Sequence, residues 1–496
     1  MATETRQTVV KPSFSEAGQP PAPRRLSLNF MILSGGEAIV KLLTFAAFFW
    51  IARALGPQRY GSVEFAVAVM AFFTLFTDFG IGDYGAREVA RHRLGGAAIL
   101  HELVALRFLL SFASMAALVV VVVVIDKPPA VKLLLAFYGL SLAGYPLLLN
   151  WFFQGQDRMT WVTAAHLIRQ AVFAALVLLF LRAGTSLAAV GVFECAAVAA
   201  TGLFCATLVR MRFGFAVVSR SPSLSSLRRR LAEAFPIGFS HICWALLWYF
   251  ATVFLGFVTA DRSLGWYGAS HRAMMSVHTF VWLYFFNLLP SISRCRDLPR
   301  EHLARLLGSS LRVAAWAGLF VAFILSALSE ELMVLAYGPR FAGGASLFGI
   351  LVWMVPVAML SGHYRYTLIG YNLQRWLSWC AMISAAAAVG LSFLLIPRYG
   401  AAGAASTLLT ANVIDFGLSY WCVRRFVGRI RFSAHLIRPG IALAASVCCF
   451  LFLKTKGAWT ATLAAGVVYL ALLIWWEHRR LRRLAVLLLG RQEAAA

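Results

Sequence analysis

Runs of roughly twenty apolar residues recur fourteen times along this chain of 496. They lie at 28–53, 60–82, 99–125, 131–153, 161–182, 186–209, 233–259, 266–291, 304–328, 345–370, 374–396, 401–423, 434–453 and 458–476. A helix of about twenty residues crosses the roughly 30 Å hydrocarbon core of a bilayer, so this pattern constrains the fold more than any motif does. Apolar residues make up 61% of the sequence and charged ones 13%, where a soluble domain carries about a quarter charged. The expectation is an all-α polytopic membrane protein of about fourteen transmembrane helices. Pro146, Pro236, Pro290 and Pro356 interrupt some runs; membrane helices accept such breaks where neighbours satisfy the freed carbonyls.

The sign and placement of the charges give the orientation. The formal charge of +25 reads first as nucleic-acid affinity, but its distribution points to a loop bias. With the N-terminus inside, the inward segments hold 29 of the 45 Lys and Arg residues and the outward ones 10. A three-to-one bias sustained through fourteen alternations places both termini in the cytoplasm and leaves no nucleic-acid partner to invoke. The first residues are polar, lack the features of a secretory leader, and read as a disordered tail. None of the eight cysteines falls in an outward loop, so disulfides are not expected, and no spacing suggests zinc.

Parts of the two halves match at similar displacements. Leu55-Gly56-Pro57-Gln58-Arg59-Tyr60-Gly61 returns as Leu264-Gly265-Trp266-Tyr267-Gly268, Gln154-Gly155 as Ile369-Gly370, and Ala188-Ala189-Val190-Gly191 as Ala401-Ala402-Gly403. A six-span repeat is even-numbered, so both copies cross the membrane in the same sense, with a cleft between them. The segments assigned are a cytoplasmic tail at 1–26, a first lobe at 27–210, a cytoplasmic linker at 211–232 and a second lobe at 233–425. Two further spans follow at 426–476, then a cytoplasmic tail at 477–496. Its sequence either makes an amphipathic helix on the anionic inner leaflet or is an ordinary basic flank.

Six basic residues lie inside the spans: Lys41, Arg107, Arg169, Arg272, Arg312 and Arg365. Each costs about 2.5–3.5 kcal/mol at the bilayer centre if it faces lipid. They must therefore line a wet cavity, find an acid, or reach a surface. Glu37 stands one turn before Lys41 and could satisfy it, and Arg107 has Glu102 nearby. Arg169, Arg272 and Arg312 have no acid close in sequence and are assigned, with Lys41 and Arg365, as cavity cations that bind substrate. Guanidinium forks suit phosphate oxygens, so the cargo expected is a phosphate or diphosphate. Glu37, Asp78 and His241 are candidates for ion coupling or for cavity polarity, and satisfied interhelical contacts are the alternative. Trp244, Trp248 and Tyr249 either flank sugars or pack.

The run Ala52-Arg53-Ala54-Leu55-Gly56-Pro57-Gln58-Arg59-Tyr60-Gly61, then Asp78-Phe79-Gly80 and Gly85-Ala86-Arg87-Glu88, resembles the opening of the polysaccharide (O-antigen) flippase family. Trp151-Phe152-Phe153-Gln154-Gly155, Gly265-Trp266-Tyr267-Gly268-Ala269 with Arg272, Tyr337-Gly338-Pro339-Arg340-Phe341 and Pro397-Arg398-Tyr399-Gly400-Ala401-Ala402-Gly403 extend the likeness from residue 27 to about 425. The family belongs to the multidrug/oligosaccharidyl-lipid/polysaccharide exporter superfamily. The resemblance implies two six-helix lobes in a V plus two extra C-terminal helices, and a cavity lined by spans 1, 2, 7 and 8. The implied activity is flipping an undecaprenyl-diphosphate-linked oligosaccharide between leaflets of the bacterial cytoplasmic membrane. Membrane lipids and polysaccharide polymerase or assembly machinery are the implied partners. No cofactor is expected, and coupling to H+ or Na+ stays open. A lipid II or teichoic-acid precursor flippase and a multidrug or cation antiporter are the alternative transport readings. An enzyme is disfavoured, since no P-loop, GxSxG or HExxH motif occurs.

Overall fold

The computed structural model describes residues 23–92, 96–214, 216–217, 222–259, 261–428, 430 and 433–493; of 23–34, 261 and 479–493 it describes the backbone only. The expected tail up to residue 22 and part of the 211–232 linker lie outside the described residues. Among the described residues sixteen α-helices follow in order. The first half holds α1 (Pro23–Asp78), α2 (Ile81–Arg91), α3 (Gly96–Val124), α4 (Pro129–Leu140), α5 (Asn150–Gly155), α6 (Met159–Phe180) and α7 (Ala188–Phe213). The second holds α8 (Leu224–Val258), α9 (Asp261–Arg294), α10 (Arg300–Ala327), α11 (Ser329–Tyr337), α12 (Ala345–Leu351), α13 (Met354–Gly370) and α14 (Gln374–Phe426). Two more close the chain, α15 (Ser433–Leu453) and α16 (Ala458–Glu493). Among the described residues twelve helical segments are long and apolar enough to cross a membrane.

Twelve becomes fourteen at two glycines. At about 1.5 Å per residue, the 56 residues of α1 would reach more than twice the hydrocarbon thickness as a straight rod. Gly56, at φ 70° and ψ 170°, breaks it into two limbs, in a backbone region that side-chain-bearing residues avoid. Pro57 opens the second limb, where its missing N–H and fixed φ suit a first helical position. Gly400 does the same in α14, at φ 55° and ψ −130°. Each limb then has the length of one span.

The sequence repeat is repeated in structure. Tyr60 and Tyr267, 207 positions apart, are both fully buried. Helices α5 and α13 end at Gly155 and Gly370, and each is followed two residues later by a left-handed residue, Asp157 at φ 59° and Asn372 at φ 58°. The next helices start at Met159 and Gln374, again 215 apart.

The two halves meet along the second limb of α1, which packs against α8 and α9 through glycines. A methyl on Gly265 would sit 1.8 Å from the Pro57 carbonyl oxygen, and one on Gly256 would sit 2.3 Å from Phe65. At the opposite end, one on Gly238 would sit 2.5 Å from the Phe79 carbonyl oxygen. Backbone contact this close needs glycine, the usual device for helix association inside lipid.

Candidate functional site

At the centre of the seam, Arg272 on α9 reaches across to Glu64 on the second limb of α1. Its Nε donates to Oε1 at 2.8 Å and its Nη2 to Oε2 at 2.9 Å. The guanidinium lies 3.4 Å above the centroid of Phe48 on the first limb. A fork engaged in this way, on a buried carboxylate, joins three spans and leaves little charge to offer a ligand.

Four other basic residues within the spans are also paired with acids. Arg107 on α3 donates to Asp78 at 2.7 Å and to the Leu148 carbonyl at 2.9 Å. Arg169 on α6 pairs with Glu194 on α7 and donates to the Tyr145 hydroxyl at 2.7 Å. Arg365 on α13 donates to Asp415 on α14 at 2.8 Å. Arg312 on α10 stands 3.7 Å from Glu477 on α16 and 3.4 Å from His435 on α15, away from the seam between the halves. The acids missing near Arg169, Arg272 and Arg312 in sequence are supplied by other helices, 25 to 208 positions away. Arg312 pairs across 165 positions. A lone charge in hydrocarbon costs far more than a pair, so the fold brings opposite charges together.

Lys41 differs. Among the described residues no carboxylate lies within ion-pair distance of it, and it is exposed on the first limb of α1. Glu37, one turn earlier, accepts instead from His166 on α6, whose Nδ1 is 2.8 Å away. Asp78 is committed to Arg107, and His241 on α8 faces Asp83 at 3.2 Å. Trp244 packs on Trp248 and Tyr249 yet stays exposed, whereas Trp248 is buried against His271 and His278. The seventh span, α8, therefore holds both aromatic packing and one exposed indole, Trp244.

Burial along the seam is uneven. Toward the Gly56 turn the halves are sealed: Arg53 donates to the Ala336 and Leu335 carbonyls at 3.0 and 2.6 Å, Phe49 meets Tyr337, and Tyr60 meets Phe341 edge-on. Toward the other side, Ile39, Lys41 and Leu42 of α1 and Ser276, Phe280 and Asn287 of α9 are exposed. At that same side the start of α8 is tied to the first half. There Arg230 donates to Glu102 at 2.8 Å and Ser226 to Glu102 at 2.7 Å.

The partners Glu64, Glu194 and Asp415 stood in the sequence as isolated intramembrane acids, and Glu477 as the first residue of a tail. Each lies on a different helix from its base, so spacing along one helix could not join them.

Comparison with known proteins agrees with this architecture. A protein of Escherichia coli (strain K12) named "Putative O-antigen transporter" is 22% identical over 410 residues, covering 81% of this chain and 96% of that protein. Among solved structures, the lipid II flippase MurJ in an inward closed conformation superposes with a TM-score of 0.72 at 14% identity, over 91% of this chain and all of that one. An inward-facing multidrug resistance MATE family transporter of the MOP superfamily gives 0.64 at 14% identity, over 83% and 98%. The model of the family described as polysaccharide biosynthesis protein matches residues 26–296, more than half of the chain. This multi-pass membrane protein belongs to the polysaccharide biosynthesis protein family.

Proposed function

We propose that the chain is a flippase for an undecaprenyl-diphosphate-linked oligosaccharide, carrying it from the inner to the outer leaflet of a bacterial cytoplasmic membrane for surface polysaccharide synthesis. The O-antigen transporter and lipid II flippase likenesses support the cargo class, and the family supports the pathway. The observation that carries the mechanism is the uneven seam: α1 and α9 are packed together near Gly56 and exposed on the other side. With both termini inside, as the basic loops direct, that exposed side is the cytoplasmic mouth of a cleft. The two halves act as lobes that rock about the seam, giving alternating access without breaking a bond.

In this reading Lys41 meets the diphosphate first. Arg169 and Arg365 assist. Their side chains are 36% and 32% exposed, and a guanidinium has five N–H donors, so each keeps capacity beyond its carboxylate. Arg272 is the clasp at the centre of the seam. Of the groups considered for coupling to H+ or Na+, Glu37 and His241 stay partly exposed in acid–histidine pairs.

The test uses charge reversal at an exposed position, where folding is not at stake. In cells dependent on this chain, Lys41→Glu should lower surface polymer about tenfold or more while lipid-linked precursor accumulates inside. Normal surface polymer in that variant would overturn the head-group role. A cationic cargo predicts the opposite, since a new carboxylate would favour it.

A further inference from the structure

Arg312 lies away from the seam between the halves, yet it lines a cavity of its own. A space of about 580 Å3 lies between α10, α15 and α16, lined among others by Arg312, His435, Arg438, Glu477, Trp316 and Trp475. We propose that this cavity is a binding site for the phosphodiester head group of an anionic phospholipid from the leaflet facing the basic loops. The proposal does not depend on the flippase reading.

The charge arithmetic points to an anion. Two guanidiniums share one carboxylate: Glu477 has Arg312 at 3.7 Å and Arg438 at 3.9 Å. Both distances exceed the 2.7–3.2 Å of a hydrogen bond, so the forks are attracted to Glu477 without being engaged by it. One positive charge is in excess before His435 and His478, which also line the space, are considered. Trp316, only 5% exposed, lines the cavity too, and its indole N–H has no acceptor among the described residues. A buried donor without a partner is uncommon, and a phosphate oxygen would satisfy it.

Depth identifies the source of the phosphate. Glu477 is nineteen residues beyond the start of α16 at Ala458, a rise of about 29 Å, which is the full hydrocarbon thickness. Arg438 is five residues into α15. The cavity thus stands at head-group level, and Trp475 and Trp476 lie where interfacial tryptophans concentrate. Basic pockets between spans at this level are where acidic head groups bind.

The test is lipid titration of the full chain purified in neutral detergent, read by native mass spectrometry and by the thermal midpoint. Dioleoylphosphatidylglycerol should bind and raise the midpoint, while dioleoylphosphatidylcholine should do so at least tenfold more weakly. Arg438→Gln, at a side chain 56% exposed, should fold normally and lose phosphatidylglycerol affinity about tenfold or more. Arg424→Gln, an exposed basic residue outside the cavity, should bind as the unaltered chain does. Equal binding of the two lipids overturns the proposal, as does an Arg438→Gln variant indistinguishable from Arg424→Gln. Inorganic phosphate giving the same midpoint shift at equal concentration overturns the lipid source.

Discussion

Arg272 and Glu64 are the pair whose loss the protein should feel most. Glu64 is buried and Arg272 half-buried on the seam, and removing one partner strands a charge in a low-dielectric interior at a cost of about 3–5 kcal/mol. Glu64→Gln should therefore lower the thermal midpoint sharply. The double variant Glu64→Gln with Arg272→Met should recover most of that loss, because neither charge then remains. A double-mutant cycle on thermal midpoints checks this, and strict additivity of the two changes would refute the clasp. The pair also shows what was hidden in the residues alone. That Arg272 is costly in lipid was legible at once, but its partner stands 208 positions earlier. Local spacing along one helix cannot reveal a contact made between different helices. The same holds for Arg169 with Glu194 and Arg365 with Asp415.

At the scale of helices, the spans themselves were plain, because twenty apolar residues leave no other reading. The turns at Gly56 and Gly400 were legible as well, since both fall in the gaps at 54–59 and 397–400 between apolar runs, and the dihedral angles show the breaks there. Three glycines sort these roles. Gly56→Ala forces a side chain into a backbone region only glycine occupies and should cost about 1–3 kcal/mol. Gly265→Ala places a methyl 1.8 Å from the Pro57 carbonyl oxygen, so the halves must separate there, at about 1–3 kcal/mol for overpacking. Gly417→Ala, in α14 with open space around it, should be neutral or add up to about 1 kcal/mol through helix propensity. Thermal midpoints of the three variants in one detergent rank them. A Gly265→Ala protein as stable as Gly417→Ala would mean that the seam is looser than its geometry indicates.

The whole molecule adds what neither residues nor helices contain: an asymmetry between its two ends. The repeat in sequence announced two similar halves, and Tyr60 with Tyr267 places the equivalence in matching buried sites. It could not announce which end of the seam is closed, because that depends on how the halves lean. Arg53 on the Leu335 and Ala336 carbonyls, Phe49 on Tyr337 and Tyr60 on Phe341 all lie at one end. If transport requires that end to open, then holding it shut must stop turnover while leaving the opposite end accessible. Phe49 and Tyr337 have ring centroids 6.1 Å apart, which suits a short bis-methanethiosulfonate linker that forms a disulfide to each cysteine and is cleaved by reduction. With Phe49→Cys and Tyr337→Cys, cross-linking should abolish flipping of a lipid-linked oligosaccharide in proteoliposomes, and reduction should restore it. Either cysteine alone should be indifferent to the linker, which also controls for the eight native thiols. Undiminished flipping in the linked protein would mean that the head group does not leave by the Gly56 end. Rocking about this seam would then have to be abandoned as the transport step.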